Sequence, residues 1–437
     1  MSLLEGFGTL KRQVGLLLVA EGVRAGLGDW CWAVPGTAAA ADRPPRIPLE
    51  VVGFDKGETL LLPLGSHVGF HPDMLITDGS PPPVPEPAST YGRVINGYGT
   101  AFDGDDALSQ QPSRSPPVPI NPLSRAPIET VFDTGVRAIN GLLTVGVGQR
   151  IGLFAGSGVG KSVLLGMLAR CPGADVVVCA LIGERGREVQ EFVTEHLAEQ
   201  QARVIVVAAP ASDAPGLRLR AAELAHDLAE QERAAGKRVL LLVDSLSRVA
   251  QAQREVGLAS GEPPTSKGYP PSVFTLLPNL LERGGALRDG GSITAFYTVL
   301  MEEDDPDDPI VDAARAVLDG HIVLSRKVAE DGLYPAIDLG VSLSRLAHRL
   351  QDPDWRAAAA TFRRRWVRYQ EQADLVLVGA YQAGVDQELD RAIASQDLLR
   401  AFIEQVPEAR VDAAEARAAL RGAVADTRTP HALQQTA

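Results

Sequence analysis

Apolar residues fall into two textures along the chain, which change near Val131. From Val14 to about Ile76 they come in short runs, "VGLLLVAEGV", "WCWAV", "IPLEVVGF" and "TLLLPLG", broken by Gly, Pro and Asp. Short strands at such spacing predict a small β-barrel or sandwich over residues 14–80, behind an N-terminal segment of residues 1–13. "PGTAAAADRPPR" reads as a surface loop between two of those strands. Residues 81–130, rich in Pro, Gly and Ser, predict a linker with one strand at "YGRVIN".

Beyond Val131 continuous apolar runs alternate with helix-length segments: "RIGLFAG", "VVVCALIGE", "RVIVVAAPA", "RVLLLVD" and "SITAFYTVL". Strands apolar on both faces predict a parallel sheet covered by helices on both sides, an α/β core over residues 131–346. After about Leu346 the strands stop. "DWRAAAATFRRRWVRYQEQADLVLVGAY" and "ELDRAIASQDLLRAFIEQ" carry helical periodicity, which predicts a helical C-terminal domain over residues 347–437.

Composition narrows the function. A chain of 437 residues has room for two or three domains, and a formal charge of −13 disfavours a broad nucleic-acid surface. No apolar run reaches membrane-span length, and the N-terminus places its basic pair after its apolar residues, unlike a signal peptide. Cys31, Cys171 and Cys179 lack metal-ligand spacing and read as reduced packing thiols of a cytoplasmic protein.

The chemistry is carried by "FAGSGVGKS". An apolar strand runs directly into this glycine loop, and "KSVLLGMLAR" continues as a helix, the context that marks a phosphate-binding loop. Ala155 stands where the pattern G-x-x-x-x-G-K-[ST] begins with Gly, but the amides that hold phosphate come from later residues. Gly156, Ser157, Gly158, Val159, Gly160, Lys161, Ser162 and Val163 form the expected nucleotide-binding run. Lys161 is expected to reach the β- and γ-phosphates of ATP, and the Ser162 hydroxyl to bind Mg²⁺. Asp244 ends another buried strand, "RVLLLVDS", as a second metal-side carboxylate does, although a strand-end turn residue would look the same. Glu184 ends "ALIGE" and suits the general base, or equally a helix-start acid satisfied by neighbouring amides.

Together these stretches resemble the ATPases of bacterial type III protein export, which are similar in fold to the catalytic β-subunit of rotary ATP synthases. The resemblance runs through "INPLSRAPIETVFDTGVRAINGLLTVGVGQRIGLFAGSGVGKSVLLGMLAR", "ALIGERGREVQEF", "DSLSRVAQAQREVGLASGEPPTSKGYPPSVFTLLPNLLER" and "YPAIDLGVSLSR". It implies a RecA-like P-loop core behind an N-terminal β-barrel. By the same resemblance Arg185 and Arg248 approach the phosphates, Tyr334 packs on adenine, and Arg345 is an arginine finger acting across a subunit boundary. From the residues alone, Tyr334 could be a core aromatic and Arg345 a surface arginine.

The family further implies a homohexamer at the cytoplasmic face of the export apparatus. Its partners there are export-gate membrane proteins, a stator-like regulator, a stalk subunit, chaperones and secreted cargo. "LVLVGAYQAGVDQELDRAI" favours the flagellar branch, whereas "REVGLASGEPP" would suit an injectisome ATPase. Leu3, Leu4, Phe7 and Leu10 could form one face of an N-terminal helix, shorter than the regulator-binding helix common in the family. A non-catalytic ring subunit would not need Glu184, Lys161 and Asp244 together. The acidic balance disfavours an RNA-dependent ring helicase, and one chain bearing both base and finger suits a homomeric ring better than a rotary synthase.

Overall fold

The computed structural model describes residues 7–34, 46–65, 69–81, 83–104, 108–112, 119–197, 202–301 and 308–425. Six strands, β1 (Phe7–Val14), β2 (Leu17–Glu21), β3 (Trp30–Val34), β4 (Ile47–Asp55), β5 (Glu58–Pro63) and β6 (Leu75–Gly79), close into an antiparallel barrel in the order β1-β2-β5-β4-β3-β6. Alternation along each strand makes closure favourable, because Leu10, Leu18, Ala20, Cys31, Ala33, Leu49, Val51, Leu61, Met74 and Ile76 all bury into one core. The barrel begins earlier than the sequence pattern suggests. Phe7 and Leu10, for which the sequence allows either a helix face or a frayed terminus, lie in β1, where Phe7 pairs with Thr77 and Leu10 with Ala20. Pairing on both edges satisfies their backbone, which a lone N-terminal turn cannot do. Leu3, Leu4 and residues 35–45 of the expected loop lie outside the described residues.

The expected linker carries β7 (Val84–Pro85), β8 (Val94–Ile95) and β9 (Gln110–Gln111); β7 and β9 pair with each other. The core strands follow as β10 (Arg150–Ala155), β11 (Val176–Ile182), β12 (Val204–Ala209), β13 (Arg238–Asp244), β14 (Gly285–Ala286), β15 (Ser292–Leu300), β16 (Gly320–Leu324) and β17 (Leu343–Ser344). They form a nine-stranded sheet in the order β17-β16-β10-β15-β13-β11-β12-β8, with β14 beside β15. The pairs along β16-β10-β15-β13-β11-β12-β8 are parallel, while β14 and β17 run antiparallel to their neighbours. The linker thus supplies the sheet's edge strand β8, whose Val94 and Ile95 pair with Val206 and Val207.

Helices α1 (Lys161–Ala169), α2 (Gly186–Glu191), α3 (Pro215–Ala234), α4 (Leu246–Ala259), α5 (Pro271–Leu281), α6 (Pro309–Val317), α7 (Arg326–Glu330) and α8 (Ala347–Leu350) precede the C-terminal α9 (Pro353–Leu377), α10 (Gln387–Ile403) and α11 (Ala413–Val424). Strand β11 shows how the sheet divides them. Val177, Cys179 and Leu181 join the core shared with α1, α9, α10 and α11, whereas Val176, Val178, Ala180 and Ile182 face the core of α3, α4, α5 and α6. The barrel rests on this body through Leu17, Trp30, Leu62 and Leu64, which pack with Val256 of α4.

Cys31, Cys171 and Cys179 are free and buried, and burial pushes the Cys171 thiol up to about 11 and the other two to about 12. They remain protonated packing groups. Among the described residues no helix is long and apolar enough to cross a membrane.

Candidate nucleotide site

The carboxyl ends of β10, β11, β13 and β15 open onto one cavity of about 850 Å³. Ligands of parallel sheets bind at this edge, where strand ends release loops that helices follow. Strand β10 ends at Ala155, the loop turns through Gly158 (φ 78°) and Gly160 (φ 86°), and α1 starts at Lys161. Left-handed backbone at both glycines excludes ordinary side chains there and leaves the amides free to approach an anion. Gly156, Ser157, Gly158, Gly160, Lys161, Ser162 and Val163 all line the cavity. Val159 instead buries its side chain in the core, so only its main chain faces the loop's interior.

Lys161 crosses the cavity floor. Its Nζ lies 2.6 Å from Asp244 Oδ1 and 3.2 Å from Glu184 Oε1, so two carboxylates from different strand ends share one ammonium. Burial pulls the ammonium pKa down, but the two carboxylates outweigh it and hold it above its usual value. Asp244 is buried, and the Thr298 hydroxyl of β15 reaches its Oδ1 at 2.7 Å. Glu184 is raised above the ordinary carboxylate range, first by burial and then by Asp244, against the pull of Lys161. A hydrogen bond shared with Glu188 adds to that rise, while the same bond and Arg185 lower Glu188.

The arginines divide into two groups. Arg185 and Arg248 line the cavity; Arg185 is bound to Glu188 at 3.0 Å and Arg248 donates to Gln251 at 2.8 Å. Arg345 lies elsewhere. It follows β17, whose Ser344 and Leu343 pair with Gly320 and His321 at the start of β16, the end of the sheet opposite the glycine loop. Tyr334 sits at the cavity rim, 44% exposed, with its ring against Gly160: a Cβ on that glycine would meet Cδ1 and Cε1 at 3.4 Å.

Several lining residues carried no signal of their own in the sequence: Glu188, Ser247, Gln251, Met301, Asp308 and Arg326. Arg326 alone was accessible to the strand-end rule, since it stands two residues after β16.

The family model "ATP synthase alpha/beta family, nucleotide-binding domain" matches residues 135–344, and "T3SS EscN ATPase C-terminal domain" matches residues 351–422. The flagellum-specific ATP synthase of Pseudomonas aeruginosa is 51% identical over 429 residues, covering 96% of this chain and 93% of that one. Its counterpart in Salmonella typhimurium is 50% identical and covers 91% and 89%. The assembled ATPase EscN of the enteropathogenic E. coli type III secretion system superposes with a TM-score of 0.89 at 40% identity, covering 96% of this chain and all of that one. EscN in complex with its central stalk EscO gives 0.85 at 38% identity over the same share of each chain. The chain belongs to the family of flagellum-specific ATP synthases and type III secretion ATPases.

In this export ATPase the oxygen set around the loop fits Mg²⁺. Mg²⁺ is bound through one or two carboxylates, hydroxyls and substrate phosphates; Ser162 offers a hydroxyl on the cavity wall, and Asp244 a buried carboxylate behind it, paired with the lining Lys161. Among the described residues no cluster of three or more His, Cys, Asp or Glu could hold a metal by itself.

The shared ammonium has a measurable consequence. Lys161→Ala leaves two buried carboxylates facing each other, which costs about 3–5 kcal/mol of stability at neutral pH. Glu184, already held above the ordinary carboxylate range, then loses the ammonium that lowers it, so the native state binds protons more readily there than the unfolded chain and the deficit shrinks as pH falls. Thermal unfolding of the nucleotide-free protein across this range measures it; a midpoint equal to the parent's at neutral pH contradicts the role of Lys161.

Proposed function

We propose that the chain hydrolyses Mg-ATP as a ring of identical copies serving type III protein export, on its flagellar branch. The observation that carries this reading is the meeting of Glu184 and Asp244 on the Lys161 ammonium beside the glycine loop, with Arg345 at the other end of the same sheet. The chain is an ATPase, and its own residues divide the work. The amides from Gly156 to Ser162 cradle the phosphates, and Lys161 exchanges its carboxylate partners for phosphate oxygens. Ser162 and Asp244 hold Mg²⁺, which when bound neutralises charge on those oxygens.

Glu184 accepts the proton of the attacking water. Its raised pKa makes it a stronger base than a free carboxylate. Arg185 and Arg248 approach the phosphates from α2 and α4, and Tyr334 packs on the adenine ring. Arg345 is exposed and distant from its own chain's loop, so it serves a neighbour's site. A guanidinium there stabilises charge on the transferring phosphoryl group and contributes on the order of 10³-fold or more in rate.

A closed ring gives every site a neighbour's finger, and a hexamer is the form this reading adopts. EscN's complex with a central stalk supports a stalk partner here as well. Export-gate membrane proteins, a stator-like regulator, chaperones and secreted cargo complete the partner set. They hold the ring at the cytoplasmic face of the membrane. Greater identity to the flagellar relatives, 51% and 50% against 40% for EscN, favours the flagellar branch.

Glu184→Gln is expected to bind ATP normally and to lose at least about 10²-fold in turnover, the scale of a general base. In the parent, kcat/KM falls as pH drops through the raised Glu184 pKa of the free enzyme, so its acid limb lies above the ordinary carboxylate range. Substantial turnover by the Gln variant removes Glu184 from the mechanism. Arg345→Ala rings lose about 10³-fold, and mixing them with Lys161→Ala subunits restores hydrolysis at the junctions where an intact loop meets an intact finger. Unchanged turnover by the Arg345→Ala ring refutes the finger. Deleting the gene in its own host is expected to abolish flagellar filaments; loss of effector secretion with motility intact assigns the chain to the injectisome branch instead.

A further inference from the structure

Arg345 is exposed, and a long exposed side chain has many rotamers, so a finger needs something to hold it. Two contacts do so. Its amide donates to the carbonyl of Asp319 at 3.0 Å, and its Nη2 donates to the main-chain carbonyl of Arg315 at 2.9 Å. Arg315 lies in the last turn of α6, a nine-residue helix. The position of that carbonyl therefore depends on what fixes the end of α6.

Arg315's own side chain supplies one such tether. Its guanidinium lies 5.1 Å over the ring of Phe154, which is fully buried. The same ring stacks on the His321 imidazole at 5.6 Å with 16° between the planes. The His321 Nε2–H donates to the Val341 carbonyl at 2.8 Å; burial lowers the His321 pKa against the pull of that bond, and Arg315 and Arg345 lower it further. Phe154 keeps its place because residue 152 is glycine: a Cβ there would lie 2.8 Å from Phe154 Cε1. Phe154 also directly precedes Ala155, where the strand enters the phosphate loop.

The other end of α6 is anchored at the chain's own cavity. Asp308 caps the helix by accepting from the Ile310 amide at 2.7 Å, and both residues line the nucleotide site. Helix α6 therefore stands between the cavity that a chain fills itself and the arginine it presents to its neighbour.

We propose that Arg315 is a positioning residue for Arg345: by clamping the end of α6 on Phe154 it fixes the carbonyl that holds the finger's guanidinium. This rests on the reading of Arg345 as a finger in trans. A displacement of about 1 Å in a group that must meet a transition state costs on the order of 10²-fold, so loss of the clamp is felt in turnover, while the walls of the chain's own nucleotide cavity stay in place.

The test uses the full-length ring-forming protein and compares Arg315→Ala, Arg315→Lys, Arg345→Ala and the Arg315→Ala/Arg345→Ala double variant. Steady-state ATP hydrolysis, binding of a fluorescent ATP analogue and ring mass are measured for each. Arg315→Ala is expected to keep ring mass and KM within about twofold while kcat falls about tenfold to a hundredfold. Arg315→Lys, which retains a cation over the ring, recovers most of the rate. The double variant is no slower than Arg345→Ala alone, because Arg315 acts only through the finger.

Parental kcat in Arg315→Ala, or a double variant slowed by the product of the two single losses, overturns the proposal. If Arg315→Ala does not assemble, Phe154→Leu removes the aromatic face and keeps apolar bulk; parental kcat in that variant overturns it equally. Arg345→Ala at the parental rate refutes the finger itself. A slow Arg345→Ala beside a parental Arg315→Ala refutes only the role of Arg315.

Discussion

One ammonium shared between two buried carboxylates organises the cavity. Lys161 enters from the start of α1, Glu184 from the end of β11 and Asp244 from the end of β13, and they meet only because the parallel sheet releases all three segments at one edge. Without nucleotide the arrangement is self-compensating: the cation neutralises carboxylates that burial would otherwise force to take up protons. Nucleotide phosphates compete for the same cation. In the proposed mechanism their arrival would free Asp244 for a metal and leave Glu184 without the ammonium that lowers its basicity.

The second constraint is the length of the sheet. The strand that delivers the phosphate loop starts near the edge that carries Arg345, so the loop and the proposed finger of one chain occupy opposite ends of the same layer. No side chain spans that separation. A single chain type bearing both groups can combine them only by repetition, which is the physical reason a ring rather than a monomer suits this architecture. Helix α6 acquires its importance from the same geometry, since it begins at one group's cavity and ends at the other group's support.

How much was legible in the chain depended on whether a feature was local. The strand, glycine loop and helix around Lys161 are contiguous, and the switch from strand to helical periodicity marks them without help from distant residues. Asp244 and Glu184 were legible because each ends a run of apolar residues. Phe7 and Leu10 were not: over so few residues apolar spacing fits a helix or a strand, and pairing with β2 and β6 decides between them. The strand expected at "YGRVIN" shrinks to the two residues of β8, too few to carry a period, and only pairing with the edge of β12 fixes its bounds.

The sequence by itself determined the barrel-like beginning, the α/β core, the helical end and the chemistry of the loop, because propensity, periodicity and strand-end carboxylates are properties of short segments. Tertiary structure alone decided which groups meet. Thr298 on Asp244, Glu188 on Glu184, Val159 turned into the core and Arg315 clamped on Phe154 all follow from the order in which strands pair and the face each helix covers. Those contacts join residues far apart in the chain, and no local preference encodes them. They arise when the sheet closes its hydrogen bonds and the two apolar cores fill.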